Sequence, residues 1–163
     1  MADQPNPADF GMHGLAPHLV CRGAGAAMDF HKQAFGAEEL MRLPGPDGRL
    51  MHGTLKINGC MVMYADEFED VVAANRTSSP QSLGGTSVAL HLVVDDCDAW
   101  IARAAQAGCK VVHPAADMFW GDRYGQIECP WGHRWSIATP KSAPVMGDEL
   151  VSAMNKAMEG TAQ

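Results

Sequence analysis

The chain has 163 residues, 47% of them hydrophobic and 19% charged, with a formal net charge of -7 at pH 7. This is enough apolar material for the core of one domain, or of two small halves sharing a core, and it argues against global disorder. The acidic balance argues against a nucleic-acid partner, which needs clustered Lys and Arg, and no run is long enough to span a membrane.

Residues 1–14 are polar, hold Pro5 and Pro7, and lack the apolar run of a secretion leader; they read as a flexible N-terminal segment. Ala16 to Arg22 reads as a strand ended by Gly23. Ala24 to Phe35 then places Ala27, Met28, Phe30, Ala34 and Phe35 at helical spacing, with Gly36 as its stop. Glu39 to Leu43 leads into the turn residues Pro44-Gly45-Pro46-Asp47-Gly48. Leu50 to Ile57 and Cys60 to Ala65 read as strands joined by Asn58-Gly59, a preferred pair for a two-residue hairpin. These elements make a first module over 15–66, followed by a polar linker over 67–85.

The second module, 86–140, opens on the strand Thr86 to Val94. Asp95 and Asp96 can cap a helix over Cys97 to Ala107, with Trp100, Ile101, Ala104 and Ala105 on one face and Gly108 as its stop. Lys110 to His113 reads as a strand, and Phe119 to Glu128 as a strand kinked at Trp120-Gly121. Pro130-Trp131-Gly132 is a turn, and His133 to Thr139 the last strand. Residues 141–163 form a tail in which Asp148 to Met158 suits a short amphipathic helix.

The five cysteines are odd in number and none is spaced as CxxC, so reduced, mostly buried thiols in a cytoplasm are expected. His18-Leu19-Val20 recurs 73 residues later as His91-Leu92-Val93. At that offset Ala26, Gln33 and Ala34 match Ala99, Gln106 and Ala107, and the order strand, helix, three strands repeats. The chain therefore reads as an internal duplication of one supersecondary unit.

Two tandem βαβββ modules, an α+β fold, resemble the vicinal oxygen chelate superfamily of glyoxalases, bleomycin-resistance proteins and dioxygenases. The runs Asp29-Phe30-His31-Lys32-Gln33-Ala34-Phe35-Gly36-Ala37, Phe119-Trp120-Gly121-Asp122-Arg123-Tyr124-Gly125 and Pro130-Trp131-Gly132-His133-Arg134-Trp135-Ser136 resemble, within it, the PhnB-like branch. His31 departs from the Tyr usual in that branch, and Cys129 from the usual Asp. The resemblance implies cupped sheets enclosing a ligand cavity between the two modules, and a homodimer.

It also implies positions for a divalent metal, which fall at Ala16, Ala89 and Ser136, with the remaining one near Met63 or Tyr64. Ala16, Ala89 and Ser136 are not usual ligands for such an ion, so the expectation is a small-molecule-binding protein without a metal or other cofactor. The alternative is a metal-dependent lyase or isomerase. In it His18 and His91, one pleat along from Ala16 and Ala89, hold a displaced ion with Glu128, His52 or water, or act as acid and base. A methyltransferase label attached to this branch finds no cofactor fingerprint here.

Trp120, Arg123 and Tyr124 form either a cavity rim, with Arg123 as anion anchor, or a structural bulge with Arg123 paired to Asp122. If Ser136 faces the cavity, alternation in the last strand puts Arg134 and Ala138 there too, and Trp135 and Ile137 under the helices. His13, His31 and His113 read as ordinary surface or core histidines, and Met51, Met61 and Met63 as sheet packing. The face that His52 takes is left open.

Overall fold

The duplication is visible in the element order of the computed structural model, which describes residue 6 and residues 14–68 and 78–161. The first module is β1 (His18–Cys21), α1 (Ala24–Phe35), β2 (Glu38–Pro44), β3 (Leu50–Ile57) and β4 (Cys60–Asp66). A short α2 (Pro80–Leu83) follows. The second module is β5 (Ala89–Val93), α3 (Cys97–Ala107), β6 (Lys110–Asp117), β7 (Asp122–Glu128) and β8 (Arg134–Pro140), and α4 (Gly147–Thr161) is the last described element. Most of the expected N-terminal segment, and 69–77 of the expected linker, lie outside the described residues.

Each module folds its strands into a four-stranded mixed sheet, in the order β1-β4-β3-β2 and β5-β8-β7-β6. The first strand of each module runs parallel to the last, a pairing that needs a crossover, and α1 and α3 supply it. The remaining pairs are antiparallel. The architecture is α+β.

The strand alternation gives each sheet two unlike faces. In β7, Gly125 and Ile127 turn to α3, and Tyr124, Gln126 and Glu128 to the other side. In β8, Trp135 and Ile137 are buried on the helix side. The helix sides of both sheets share one core. Phe35 of α1 stacks on Trp100 of α3 at 6.3 Å and packs against Trp135 of β8 at 4.8 Å between ring centres. Turns of each module bond the first strand of the other. Asn58 Nδ2 donates to Val93 O at 2.7 Å, and across the pseudo-two-fold His133 Nε2 donates to Val20 O at 3.2 Å.

This arrangement corrects the expected position of the cavity. Helices α1 and α3, with their side chains, fill the space between the modules of one chain. The two open sheet faces lie on the side away from that shared core. A second correction concerns Phe119 to Glu128. Strand β6 runs on to Asp117, and Met118 to Gly121 form a hairpin turn, in which Gly121 N donates to Met118 O at 3.0 Å and Gly121 adopts φ 104. Trp120 thus lies in a turn before β7 instead of at a kink within it.

Candidate functional site

The open face of the second sheet is built by the register of its four strands. One row across it is Lys110, Glu128, Arg134 and Ala89; the next is His113, Gln126, Ser136 and His91; the third is Ala116, Tyr124, Ala138 and Val93. The face therefore runs from charged, through neutral polar, to aromatic and apolar.

Each row has its own bonding. Arg134 Nε donates to Glu128 Oε2 at 2.6 Å, with both side chains about a third exposed. His91 Nδ1 and Ser136 Oγ share a hydrogen bond of 2.8 Å, and the Gln126 amide donates to Tyr124 Oη at 2.6 Å. The His91 ring stacks on Tyr124 at 6.4 Å, Trp120 meets Tyr124 edge-on at 5.5 Å, and Phe119 meets Trp120 at 4.9 Å. Trp120 Nε1 donates to Asp122 Oδ2 at 3.0 Å. Over the charged row lies a cavity of about 840 Å³, walled by the segment from Pro80 to Val88 and floored by Lys110, Gln126, Glu128 and Arg134. Ser79 caps α2 by accepting from Ser82 N, and Ser79 and Ser82 both donate to Glu67, which ties the wall to the end of β4.

His18 lies on the open face of the first sheet, in register with Met63 and edge-on to His52 at 5.6 Å. That places His52 on the open face too. Burial, and then the neighbouring His52, hold the His18 imidazole below its usual range. Met41 and Leu43 of the same face are 45% and 54% exposed.

Of the residues singled out in sequence, His91, Ser136, Tyr124, Trp120 and Arg134 thus share one face. His18 lies on the other sheet, and no contact joins it to His91. Arg123 does not belong with them. Strand alternation turns it to the helix side, where it grips Asp98 of α3 through two hydrogen bonds of 2.8 Å, with Asp117 at 3.4 Å. Its charge is already matched there, and it pairs with Asp98 rather than Asp122.

The positions that correspond to metal ligands do not fit a divalent ion. Ala89 has no donor, the Ser136 hydroxyl is held by His91, and Met63 offers only a thioether. Tyr64 faces the helices and bonds His31 at 2.8 Å. Among the described residues no group of three or more His, Cys, Asp or Glu is placed to hold a metal ion. Sequence reading missed Lys110, Gln126 and the wall over 80–88. The alternation of β7 signals Gln126, but only the β6–β7 pairing brings Lys110 beside Glu128.

All five cysteines are free, with Cys60 exposed and the other four buried. Among the described residues no helix is long and apolar enough to cross a membrane.

Comparison with known proteins extends the picture. The family model of the Glyoxalase/Bleomycin resistance protein/Dioxygenase superfamily matches residues 13–137. An uncharacterized protein of Mycobacterium bovis is 46% identical over 146 residues, covering 90% of this chain and 95% of the relative. Among solved structures, TioX from Micromonospora sp. ML1 superposes with a TM-score of 0.60 at 25% identity, covering 82% of this chain and 98% of TioX. A PhnB protein from Bacillus cereus superposes with a TM-score of 0.57 at 17% identity, covering 78% and 99%, a likeness of fold alone.

Proposed function

We propose a function from one premise: the chain belongs to the Glyoxalase/Bleomycin resistance protein/Dioxygenase superfamily. It acts as a PhnB-like binding protein that holds a small organic molecule on the open face of its second sheet, without the metal of its catalytic relatives. The observation that carries this reading is the cavity of about 840 Å³ over a row of charged side chains, reaching Gln126 of the neighbouring polar row. Such a site has the size and the mixed lining of a ligand pocket. Its other wall comes from a second copy. The open face of the first sheet, with Met41 and Leu43 exposed, is an apolar surface suited to cover a partner's site, which makes the working unit a homodimer. Five unpaired thiols suit a reducing cytoplasm.

The competing reading is a metal-dependent lyase or isomerase using His18 and His91, and the edge-on approach of His52 to His18 on the open face of the first sheet favours it. Metal analysis of protein purified without an affinity tag separates the two. We expect substoichiometric metal, with a small molecule released on denaturation and seen by mass spectrometry. Near-stoichiometric Ni, Zn, Mn or Fe, lost in the His18→Ala/His91→Ala double variant, would overturn the metal-free reading.

A further inference from the structure

We infer that the ligand is an elongated organic anion, a flat aromatic or apolar body bearing a carboxylate, with the carboxylate at Arg134 and Lys110 and the body at Tyr124 and Trp120. The inference rests on the binding function proposed above and names the chemical class of its ligand.

The charge pattern sets the anion end. In the charged row Lys110 and Arg134 flank Glu128 from the two neighbouring strands, two cations against one anion. Arg134 meets Glu128 through Nε only, which leaves both Nη nitrogens for a further acceptor. Among the described residues Lys110 has no ion-pair partner. The wall over 80–88 covers this row, and partial exclusion of water strengthens the attraction for a carboxylate.

The opposite end sets the direction. Tyr124 and Trp120 present ring surface there, in the same row as Val93, which is 52% exposed. Asp122 lies at that end and would repel a carboxylate, so the anion has one favourable orientation. Between the ends, Gln126 and His91 offer hydrogen bonds to an amide, ester or hydroxyl. Glu128 and Tyr124 are four residues apart on β7, which at ~3.3 Å per residue separates the ends by ~13 Å. A two-ring aromatic acid with a short linker spans that length.

Isothermal titration of the full-length protein with 4-(2-naphthyl)butanoate, its primary amide and 4-(2-naphthyl)butylamine tests the assignment. The acid is expected to bind about tenfold tighter than the amide or the amine, the scale of one charge-assisted contact. Arg134→Gln should shrink the preference of the site for the acid over the amide to about threefold, with Lys110 still in place. Should that variant fail to fold, Lys110→Gln, at an exposed position, should shrink the preference about threefold. Trp120→Leu should weaken acid and amide alike. An amide or amine that binds as tightly as the acid, or an Arg134→Gln protein with undiminished acid affinity, overturns the inference. If other compounds from a mixed library bind this face and the naphthyl acid does not, the ligand class is wrong and the binding function stands; if nothing binds, both fall.

Discussion

His31 is a histidine that the fold keeps neutral. It is fully buried on α1, its Nδ1 bonds Tyr64 Oη at 2.8 Å, and its Nε2 has no partner among the described residues. The ring packs on Phe35 at 5.2 Å and meets Trp135 edge-on at 5.5 Å. Burial, with a smaller push from His133, drives its pKa from 6.5 to about 3. Because the folded value lies below the unfolded one, the unfolded chain binds the extra proton between those limits. Stability is unaffected above pH 6.5 and falls as the pH drops from 6.5 toward 3. In urea unfolding from pH 8 to pH 4, His31→Phe should cost about 1–3 kcal/mol at pH 8, by stranding the Tyr64 hydroxyl. The same variant should flatten the acid limb by about one proton. Asp66 has a different task. Its carboxylate accepts from Gly23 N, Ala24 N and Leu50 N at 2.7, 2.9 and 2.6 Å, tying the start of α1 to β3 and β4. Asp66→Ala should destabilise by about 3 kcal/mol, because three donors lose their acceptor at once. Neither role was legible in sequence. The reading of His31 as an ordinary histidine omitted its partners on β4 and β8, and Asp66 closes the strand that reads as ending at Ala65. Such partners are brought close by the sheet and not by the local chain.

The elements show how far the duplication reaches. Helix α1 crosses its sheet over Gly53, where an added methyl would run into the Met28 sulfur; α3 crosses over Gly125, where it would run into the Ile101 side chain. Met28 and Ile101 are 73 residues apart, and the glycines 72. The ends of the last strands match as well. Asp66 accepts from Ala24 N in the first module, and Thr139 Oγ1 accepts from Cys97 N at 2.8 Å in the second. The two glycines nevertheless differ in what surrounds them. At Gly53 the crowding atoms are tips of the flexible Met28 and Leu50 side chains. At Gly125 the backbone His113 O and Ala115 N also stand at 2.9 and 3.1 Å from the added carbon, and these cannot swing away. Gly125→Ala should therefore cost about 3 kcal/mol or more and Gly53→Ala about 1–2 kcal/mol, both read from urea midpoints. The spans of α1, β3 and α3 follow directly from their apolar spacing and glycine stops, and the structure has the same spans. The 118–121 turn escaped because an aromatic run beside one glycine reads equally as a kinked strand.

On the scale of the whole molecule, the helices decide what the chain does with its two sheets. By packing α1 against α3 and burying Trp135 between the modules, the chain turns both open faces outward. The homodimer proposed above answers that exposure. Sedimentation should find the 17.4 kDa chain at twice its mass, and Leu43→Glu, on the exposed first sheet, should shift it toward monomer at micromolar concentration. A monomeric wild-type protein would remove the second wall from the proposed site. The sequence by itself determined the duplication, the two βαβββ modules and the strand faces, because helix and strand periods are local and the His-Leu-Val repeat marks equivalent strands. It also set Arg134 and Ser136 on one face of β8 and Trp135 and Ile137 on the other, by alternation. Only the tertiary structure decided that the cavity lies over the second sheet instead of between the modules, and that Arg123 is spent on Asp98. It also separated His18 from His91. Those outcomes depend on which sides of the sheets the helices bury and on which strands become neighbours, and both are fixed by packing between segments far apart in the chain.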